Sequence, residues 1–469
     1  MTASLPGLII ERPESRRARL VRASADSAPL LALTSILLFL IPDRLAFGPT
    51  GAAFGTTTTL GVLGLLVWTS FVLFHRSLPG TRVNPVRAII LFYLVVAVLS
   101  FGVAFRRVLA PTEANGALRG LVGVLGYLGL ALVACDGVKN ARSVRTVVTW
   151  MLYGGYLSAA VAALQRLAKL DYVGWWSSVP FLHTNAADSQ TQILLAGRAV
   201  GTASHPIELS VACAALISLA VHESVTAESR SRQLVHRYGA GLLIVGCLVG
   251  VSRSGAIGLA IAILLTIPAL PFRTRVNALA LGAVFLAIVQ FGVHGVLPTL
   301  RYQLMHIGTD ASSRGRTNDY GAVFALYRGH PWTGIGLGTF NPKVYFFLDN
   351  AWLGTLITAG IVGVVALTAF LGTALYQAAR VRRLAADPYL TGTARALGTS
   401  VLVLTVCAYF FDELSFVQTS ALLFIDVGLI GALIRLTSSV GNGSPEVAAT
   451  SPDGATGRQL VSRQTRARN

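Results

Sequence analysis

Charge is scarce in this chain: 12% of its 469 residues are Asp, Glu, Lys or Arg, about half the share found in a soluble globular domain. With 54% of residues apolar and a positive mean hydropathy, the deficit excludes an ordinary soluble globule and marks an integral membrane protein. Strict alternation of apolar and polar residues is also lacking, which excludes a membrane barrel. Acid is scarcer than base, with 20 Asp and Glu against 38 Lys and Arg and a net charge of +18. A nucleic-acid binder gathers such charge on one soluble face. Here it punctuates apolar runs, so no nucleic-acid partner is expected. The four cysteines, Cys135, Cys213, Cys247 and Cys407, lie inside apolar runs, where the residue packs as a small hydrophobe; they argue for neither disulfides nor a metal site. The first 28 residues carry Arg12, Arg16, Arg17, Arg19 and Arg22 but no short apolar core with a small-residue cleavage site. Residues 1–26 therefore read as a retained cytoplasmic tail and not as a signal peptide.

What the chain does have is apolar runs near 27–46, 51–74, 87–105, 117–137, 146–166, 205–222, 238–252, 254–271, 276–297, 351–377, 394–411 and 416–436. Runs of about 18 to 25 residues cross roughly 30 Å of hydrocarbon as helices. The expected fold is an all-α polytopic membrane protein with about 12 transmembrane helices over 27–436 and a large extracytoplasmic loop. The "VSRSGA" between the seventh and eighth runs fits a tight turn or a polar break in one bent helix. Alternate connections carry the basic residues, among them Arg76, Arg82 and Arg87, then Lys139, Arg142 and Arg145, and later Arg380, Arg382 and Arg383. That alternation puts them and both termini in the cytoplasm, and the acidic "FDELSF" of 411–416 on the outer side. The stretch 437–469 is Ser/Gly/Thr-rich before a basic end and reads as a disordered cytoplasmic tail. Two external connections, 167–204 and 298–350, are too long for hairpins, and long loops on a membrane scaffold are where function concentrates.

Arginines on the outer side fall outside the topological rule. Arg198 in "GRAVGTASHP", Arg253 in "SRSG", and Arg314 with Arg316 in "SSRGRT" lie at or between predicted outer helix ends. A guanidinium offers a planar fork of donors that matches phosphate oxygens, so their convergence would make a receptor for a diphosphate. Snorkelling to headgroups or capping of helix ends is the alternative for each; Arg253, wedged between two apolar runs, is where an unpaired charge is most expensive. Asp349, in "YFFLDNAWLG", suits a base that deprotonates a hydroxyl, and equally an N-cap. His205, His306 and His330 share the outer side, with His330 and His205 as secondary candidates. No HExxH or DxD spacing appears there, so neither a metal nor a cofactor is expected. The "GIGLG" of 334–338 is not a nucleotide loop, because no strand precedes it and no βαβ unit contains it; its glycines suit sharp turns and close packing.

Four segments, "GRAVGTASHPIELS" (197–210), "SRSG" (252–255), "GRTNDYGAVFALYRGHPWTGIGLGTF" (315–340) and "DNAWLGTLITAGIVG" (349–363), resemble in content and order the O-antigen ligase and polymerase superfamily of bacterial surface-polysaccharide membrane glycosyltransferases. The resemblance spans roughly residues 190 to 365. It implies an outer-facing site in the bacterial plasma (inner) membrane that moves a glycan from a polyprenyl-diphosphate carrier to an acceptor hydroxyl without metal or nucleotide. Its partners are then a lipid-linked glycan donor, a glycan or lipid acceptor, and membrane lipids. The family's arginines fall on Arg198, Arg253 and Arg316, and its catalytic position before the "N…L" helix start on Asp349. Ligases of the family carry histidine there, so aspartate leans towards the polymerase branch. The arginines are then open because their partner arrives with the substrate, and one-step attack opposite the diphosphate inverts the anomeric centre. A transporter or flippase for an anion or a lipid-linked glycan is the alternative; the lack of an internal repeat and of charges deep inside the runs weighs against it.

The loop charges generate a topology prediction. Trp176→Cys and Ala325→Cys should label with an impermeant thiol reagent from outside intact cells, and Asn140→Cys and Ala385→Cys should not; reversal of either pair would put the arginines and Asp349 in the wrong compartment.

Overall fold

In a chain so poor in polar groups, the few that exist mark where helices start. Asn84, Asn140, Ser229, Ser252, Asn350 and Asp387 each accept a backbone N–H from the helical turn that follows, relieving one of the four unpaired amides at a helix start. Proline, whose missing N–H is harmless there, opens five helices.

The computed structural model describes residues 26–42, 45–47, 55–75, 84–170, 172–180, 182–184, 198–292, 295–305, 311–342 and 344–440. The basic tail up to residue 25, Arg76, Arg82, His306 and the stretch 441–469 lie outside the described residues. The elements in order are α1 (Ala28–Leu40), β1 (Leu45–Phe47), α2 (Thr56–His75), α3 (Pro85–Ala104), α4 (Pro111–Gly137), α5 (Ala141–Ala168), α6 (Tyr172–Ser177), β2 (Leu182–Thr184), α7 (Pro206–Thr226), α8 (Arg230–Val249), α9 (Arg253–Thr266), α10 (Phe272–Gly292), α11 (Val296–Met305), α12 (Ala311–Gly329), α13 (Ala351–Leu384), α14 (Pro388–Cys407) and α15 (Val417–Val440). The strands pair antiparallel, Ala46 opposite His183.

Each of the twelve apolar runs coincides with a helix. Among the described residues nine of these, α2 to α5, α7, α10 and α13 to α15, are long and apolar enough to cross a membrane. Of the other three, α1 has 13 residues, α9 has 14, and α8 opens on Arg230 and Arg232. The "VSRSGA" segment is a tight turn between two helices: α8 stops at Val249, Val251 takes φ +47, and Ser252 caps α9. The region 298–350 is not a bare loop, because α12 and most of α11 lie in it, and α15 continues four residues past the expected limit at 436.

The core lies between α4, α5, α7, α14 and α15. Aromatic rings fill one part of it, with Phe370, Phe424, Tyr93 and Tyr127 in mutual contact at centroid distances of 5.1 to 6.2 Å. All four cysteines are free and buried. The runs are not free of charge, however. Asp426 is fully buried in α15, accepting a 2.6 Å hydrogen bond from Ser400 Oγ, which corrects the expectation that no charged residue lies deep inside them.

At the lower end, where α4 and α7 finish, arginines counted as loop charges are held by partners. Arg87 meets Asp136 at 3.3 Å. Arg145 donates to Glu228 at 3.0 Å and lies 4.1 Å over the Tyr389 ring. Arg435 donates to the carbonyls of Cys135 and Val138.

At the upper end α13 is broken. Gly360 takes φ +63 and ψ −161, and the segment after α12 docks into the gap. Ile335 N and Gly336 N donate to the carbonyls of Ile357 and Thr358 at 2.9 Å, while Ile361 N and Val362 N donate to Pro331 O and Trp332 O. Gly336 needs φ +111, and a Cβ there would stand 2.4 Å from Ala104; at Gly360 it would stand 2.4 Å from the Trp332 carbonyl. The glycines serve the turn and the close approach that their spacing suggested.

Gly336→Ala and Gly360→Ala should each lower the thermal midpoint of the detergent-solubilised protein, by at least the ~1–2 kcal/mol that a left-handed residue with a Cβ costs. Gly372→Ala, in the same α13 but with open space around it, should not. A melt followed by tryptophan fluorescence checks this, and equal midpoints for all three would mean that the break does not depend on its glycines.

Candidate functional site

The docked segment ties the upper ends of several helices together. Leu337 N donates to Ser100 O on α3, and Ser100 Oγ donates to Thr358 O on α13. Gly338 packs on the backbone of Gly116 in α4. Farther along, the Tyr345 hydroxyl donates to Glu113 Oε1 at 2.8 Å, and the same carboxylate takes two hydrogen bonds from Arg107, at 2.6 and 3.1 Å. The chain entering α13 is thereby fixed. Asn350, not Asp349, is the N-cap, accepting from Leu353 N at 3.0 Å. Ala351 N donates to the carbonyls of Ala408 and Phe411, which seats the start of α13 on the turn between α14 and α15.

That turn carries Asp412 and Glu413. Asp412 is half-buried, accepts from the Ser415 hydroxyl, and has its pKa pushed up to about 6, chiefly by burial against the lowering hydrogen bond of Ser415, with a smaller raising contribution from the Asp349 charge. Like charges disfavour joint ionisation, and the Asp349 charge acts on Asp412 in that sense. Glu413 is fully buried, neither carboxylate oxygen has a hydrogen-bond partner among the described residues, and burial with the adjacent Asp412 raises its pKa well above the usual range.

On the other side of this turn stand two of the expected arginines. Ala199 N donates to Val249 O, and Arg198 Nε donates to Gly250 O at 3.2 Å, three residues before Arg253 at the first position of α9. Burial lowers the pKa of Arg198. The turn between α8 and α9 holds a β-branched residue, Val251, at positive φ, a conformation that persists only where the surroundings enforce it. Cys407 Sγ lies 3.3 Å from Ser254 O, so α14, which leads into the Asp412 turn, touches the start of α9.

The remaining candidates separate. Arg314 and Arg316 fall in the first two turns of α12, where the described part is the backbone. Arg328 ends that helix and is exposed, as is His330. His205 caps α7, its Nδ1 accepting from Ile207 N at 3.3 Å, and its ring faces Phe416 at 6.0 Å. Among the described residues no three His, Cys, Asp or Glu side chains come together in a way that would hold a metal.

A cavity of about 410 Å³ opens beside Asp412 between α3, α4 and α13, lined by Tyr93, Ser100, Arg119, Tyr127, Phe340 and Thr355 among others. Sequence reading missed Arg119, which opens an apolar run and was absorbed into it, and counted Asp412 only as topology. The available signal was a pair of adjacent acids in a chain that has so few.

The Asp349–Asp412 coupling has a pH signature. Between the ordinary 3.8 and about 6 the folded chain keeps a proton on Asp412 that the unfolded chain has lost, so this group's contribution to stability falls as pH rises through that window. Asp412→Asn should remove that part of the fall, and Asp349→Asn should shift the Asp412 carboxyl titration to lower pH. Infrared difference spectra and melts between pH 4 and pH 8 check both; a wild-type Asp412 titrating at the ordinary value would refute the coupling.

No curated protein matches the chain. A family model described as O-antigen ligase matches residues 238–368, from within α8 past the break in α13, a stretch that includes Arg253, Arg314, Arg316, His330 and Asp349. The chain is a multi-pass membrane protein, and over that stretch it is similar to the O-antigen ligase family.

Proposed function

We propose that the protein transfers a glycan from a polyprenyl-diphosphate carrier to an acceptor hydroxyl at the outer face of the plasma membrane, in one inverting, metal-independent step. The observation that carries the reading is Asp412, raised by burial and by the Asp349 charge, on the turn that follows α14, whose Cys407 touches Ser254 beside Arg253 at the start of α9. The acceptor hydroxyl gives its proton to the Asp349–Asp412 pair, and its oxygen bonds the anomeric carbon. The bond from that carbon to the diphosphate oxygen breaks, and its electron pair leaves with the diphosphate. A carboxylate with a pKa about 6 is matched to accept a proton near neutral pH. Arg198, Arg253 and Arg316, with Arg314 beside them in sequence, receive the leaving charge; preorganised donors are worth about 2.7 to 4 kcal/mol each in such a role, which makes a metal unnecessary. Aspartate at 349, where ligases of the family carry histidine, favours a polymerase.

A transporter or flippase is a second reading, and Asp426 favours it, since a buried carboxyl inside a span is the usual member of a proton relay. A transferase changes its donor covalently in detergent, whereas a transporter needs a sealed vesicle.

Deleting the gene and profiling surface glycans tests the reaction. Loss of long chains with single units left on the carrier marks a polymerase, and long chains accumulating on the carrier mark a ligase. Arg253→Ala, Arg316→Ala, Asp349→Asn and Asp412→Asn should each cost about 10²- to 10³-fold in transfer or more, Arg253→Lys should rescue poorly because it loses the fork, and Arg328→Ala should be near wild type. Near-native transfer by the four with a dead Arg328→Ala would put the site on the wrong side of the α12–α13 connection.

A further inference from the structure

We infer that the cavity between α3, α4 and α13 is the acceptor subsite, and that it takes a sugar bearing an acidic group, a carboxylate or a phosphate ester, which Arg119 receives. The inference rests on the transferase reading above.

Its shape comes from three helix faces. Tyr93, Ala97 and Ser100 line it from α3, and Gly116, Gly120, Gly123 and Tyr127 from α4, spacings that put each set on one side of its helix. From Gly116 to Tyr127 the α4 wall runs roughly 16 Å at 1.5 Å per residue, and about 410 Å³ lies within the usual range for a small-ligand pocket. The floor is aromatic, with Tyr93, Tyr127 and Phe424.

The serine and threonine hydroxyls on its walls already have somewhere to donate. Ser100 Oγ donates to Thr358 O, Thr355 Oγ1 to Ala351 O and Thr358 Oγ1 to Gly354 O. What they offer a ligand is lone pairs, which suit the O–H groups of a polyol and repel an anion. Arg119 is the exception. It lines the mouth of the same cavity, exposed, and, among the described residues, has no hydrogen bond or ion pair, whereas Arg107 is held bidentately by Glu113. A wall of acceptors with one fork of donors matches a sugar with one negative group.

The Asp412 turn separates this cavity from the diphosphate arginines. Asp412, Leu414 and Ser415 face the cavity, while Cys407, at the end of the helix leading into that turn, touches Ser254 beside Arg253. Donor on one side and acceptor on the other leave the aspartate pair between them, where the acceptor hydroxyl must lose its proton.

Saturation-transfer NMR on the purified protein in nanodiscs, with glucuronic acid, glucose and inorganic phosphate as probes, tests this. Glucuronic acid should bind and glucose more weakly. Arg119→Gln should lower glucuronic acid affinity about tenfold or more, to the level of glucose, and Arg119→Lys should keep part of it. Unchanged glucose binding by Arg119→Gln shows an intact cavity. The inference is overturned if Arg119→Gln binds glucuronic acid as the wild type does, or if no sugar binds the wild type. It is also overturned if phosphate displaces glucuronic acid and Arg253→Ala, not Arg119→Gln, abolishes the binding, because the anion site would then be the donor's. Wild type that binds no sugar while Arg253 and Asp349 variants lose transfer in cells defeats the acceptor subsite and spares the transferase. If those variants keep transfer while acidic-sugar binding still needs Arg119, the transferase reading fails and the acceptor assignment goes with it.

Discussion

The upper end of this protein is organised by the replacement of helical hydrogen bonds with those of a docked loop. A left-handed residue in the middle of α13 strands carbonyls and amides where water is scarce, and such groups are costly unless met. Residues 331–336 meet them in both directions, giving two amides to Ile357 and Thr358 and taking two from Ile361 and Val362. The break is therefore a socket, and the segment that fills it cannot slide by a residue without losing all four bonds. Because the same segment also bonds Ser100 on α3 and packs on Gly116 of α4, the walls of the cavity and the start of α13 share one rigid junction.

That junction sets the electrostatics. The helices α4, α7, α9, α13 and α15 all begin at the upper end, so their positive dipole ends gather there, with Arg198 and Arg253 among them. Acids balance part of this field from fixed positions. Glu208, fully buried, accepts from Ser204 N, Ser204 Oγ and Gln418 N, which knits α7 to α15 directly behind the Asp412 turn. Glu413 is raised well above the usual range by burial and by the adjacent Asp412. The Asp349 charge adds to burial in raising the Asp412 carboxyl.

Much of the fold was legible because hydropathy at helix length has one meaning in lipid: all twelve apolar runs are helices. What hydropathy could not read was conformation inside polar or uniformly apolar stretches. The turn after Val249 was ambiguous since both flanks are equally apolar. The helix α12 went unrecognised because "SSRGRTNDY" has no apolar stripe to reveal a period. Among the candidate residues, the arginine at the first position of α9 and the aspartate before α13 stood out by their isolation among apolar residues. Asp349 was read as base or cap, and the neighbouring Asn350 proved to be the cap, a choice between adjacent residues that backbone geometry decides. Asp412 and Arg119 were passed over because counting charges by compartment ignores what each charge faces. The same counting missed that Arg87 and Arg145 are ion-paired at the lower end.

Partnership, more than position, separates the scaffold from the candidate chemistry. An open cation near hydrocarbon is expensive, and several of the chain's buried or half-buried arginines are spared that cost by the protein itself: Arg87 by Asp136, Arg107 by Glu113, Arg145 by Glu223 and Glu228, and Arg435 by two carbonyls. Arg198, half-buried, spends a single N–H on a carbonyl, and the exposed Arg119 spends none on a described residue. The carboxylates divide in the same way. Asp136 and Glu113 face cations, whereas Asp412 faces another aspartate and Glu413 faces no donor. A fold selected only for stability would have matched the open cations to the open acids, which lie at the same end of the bundle. Keeping them apart leaves room between them for a molecule that brings a leaving anion to one side and a hydroxyl to the other.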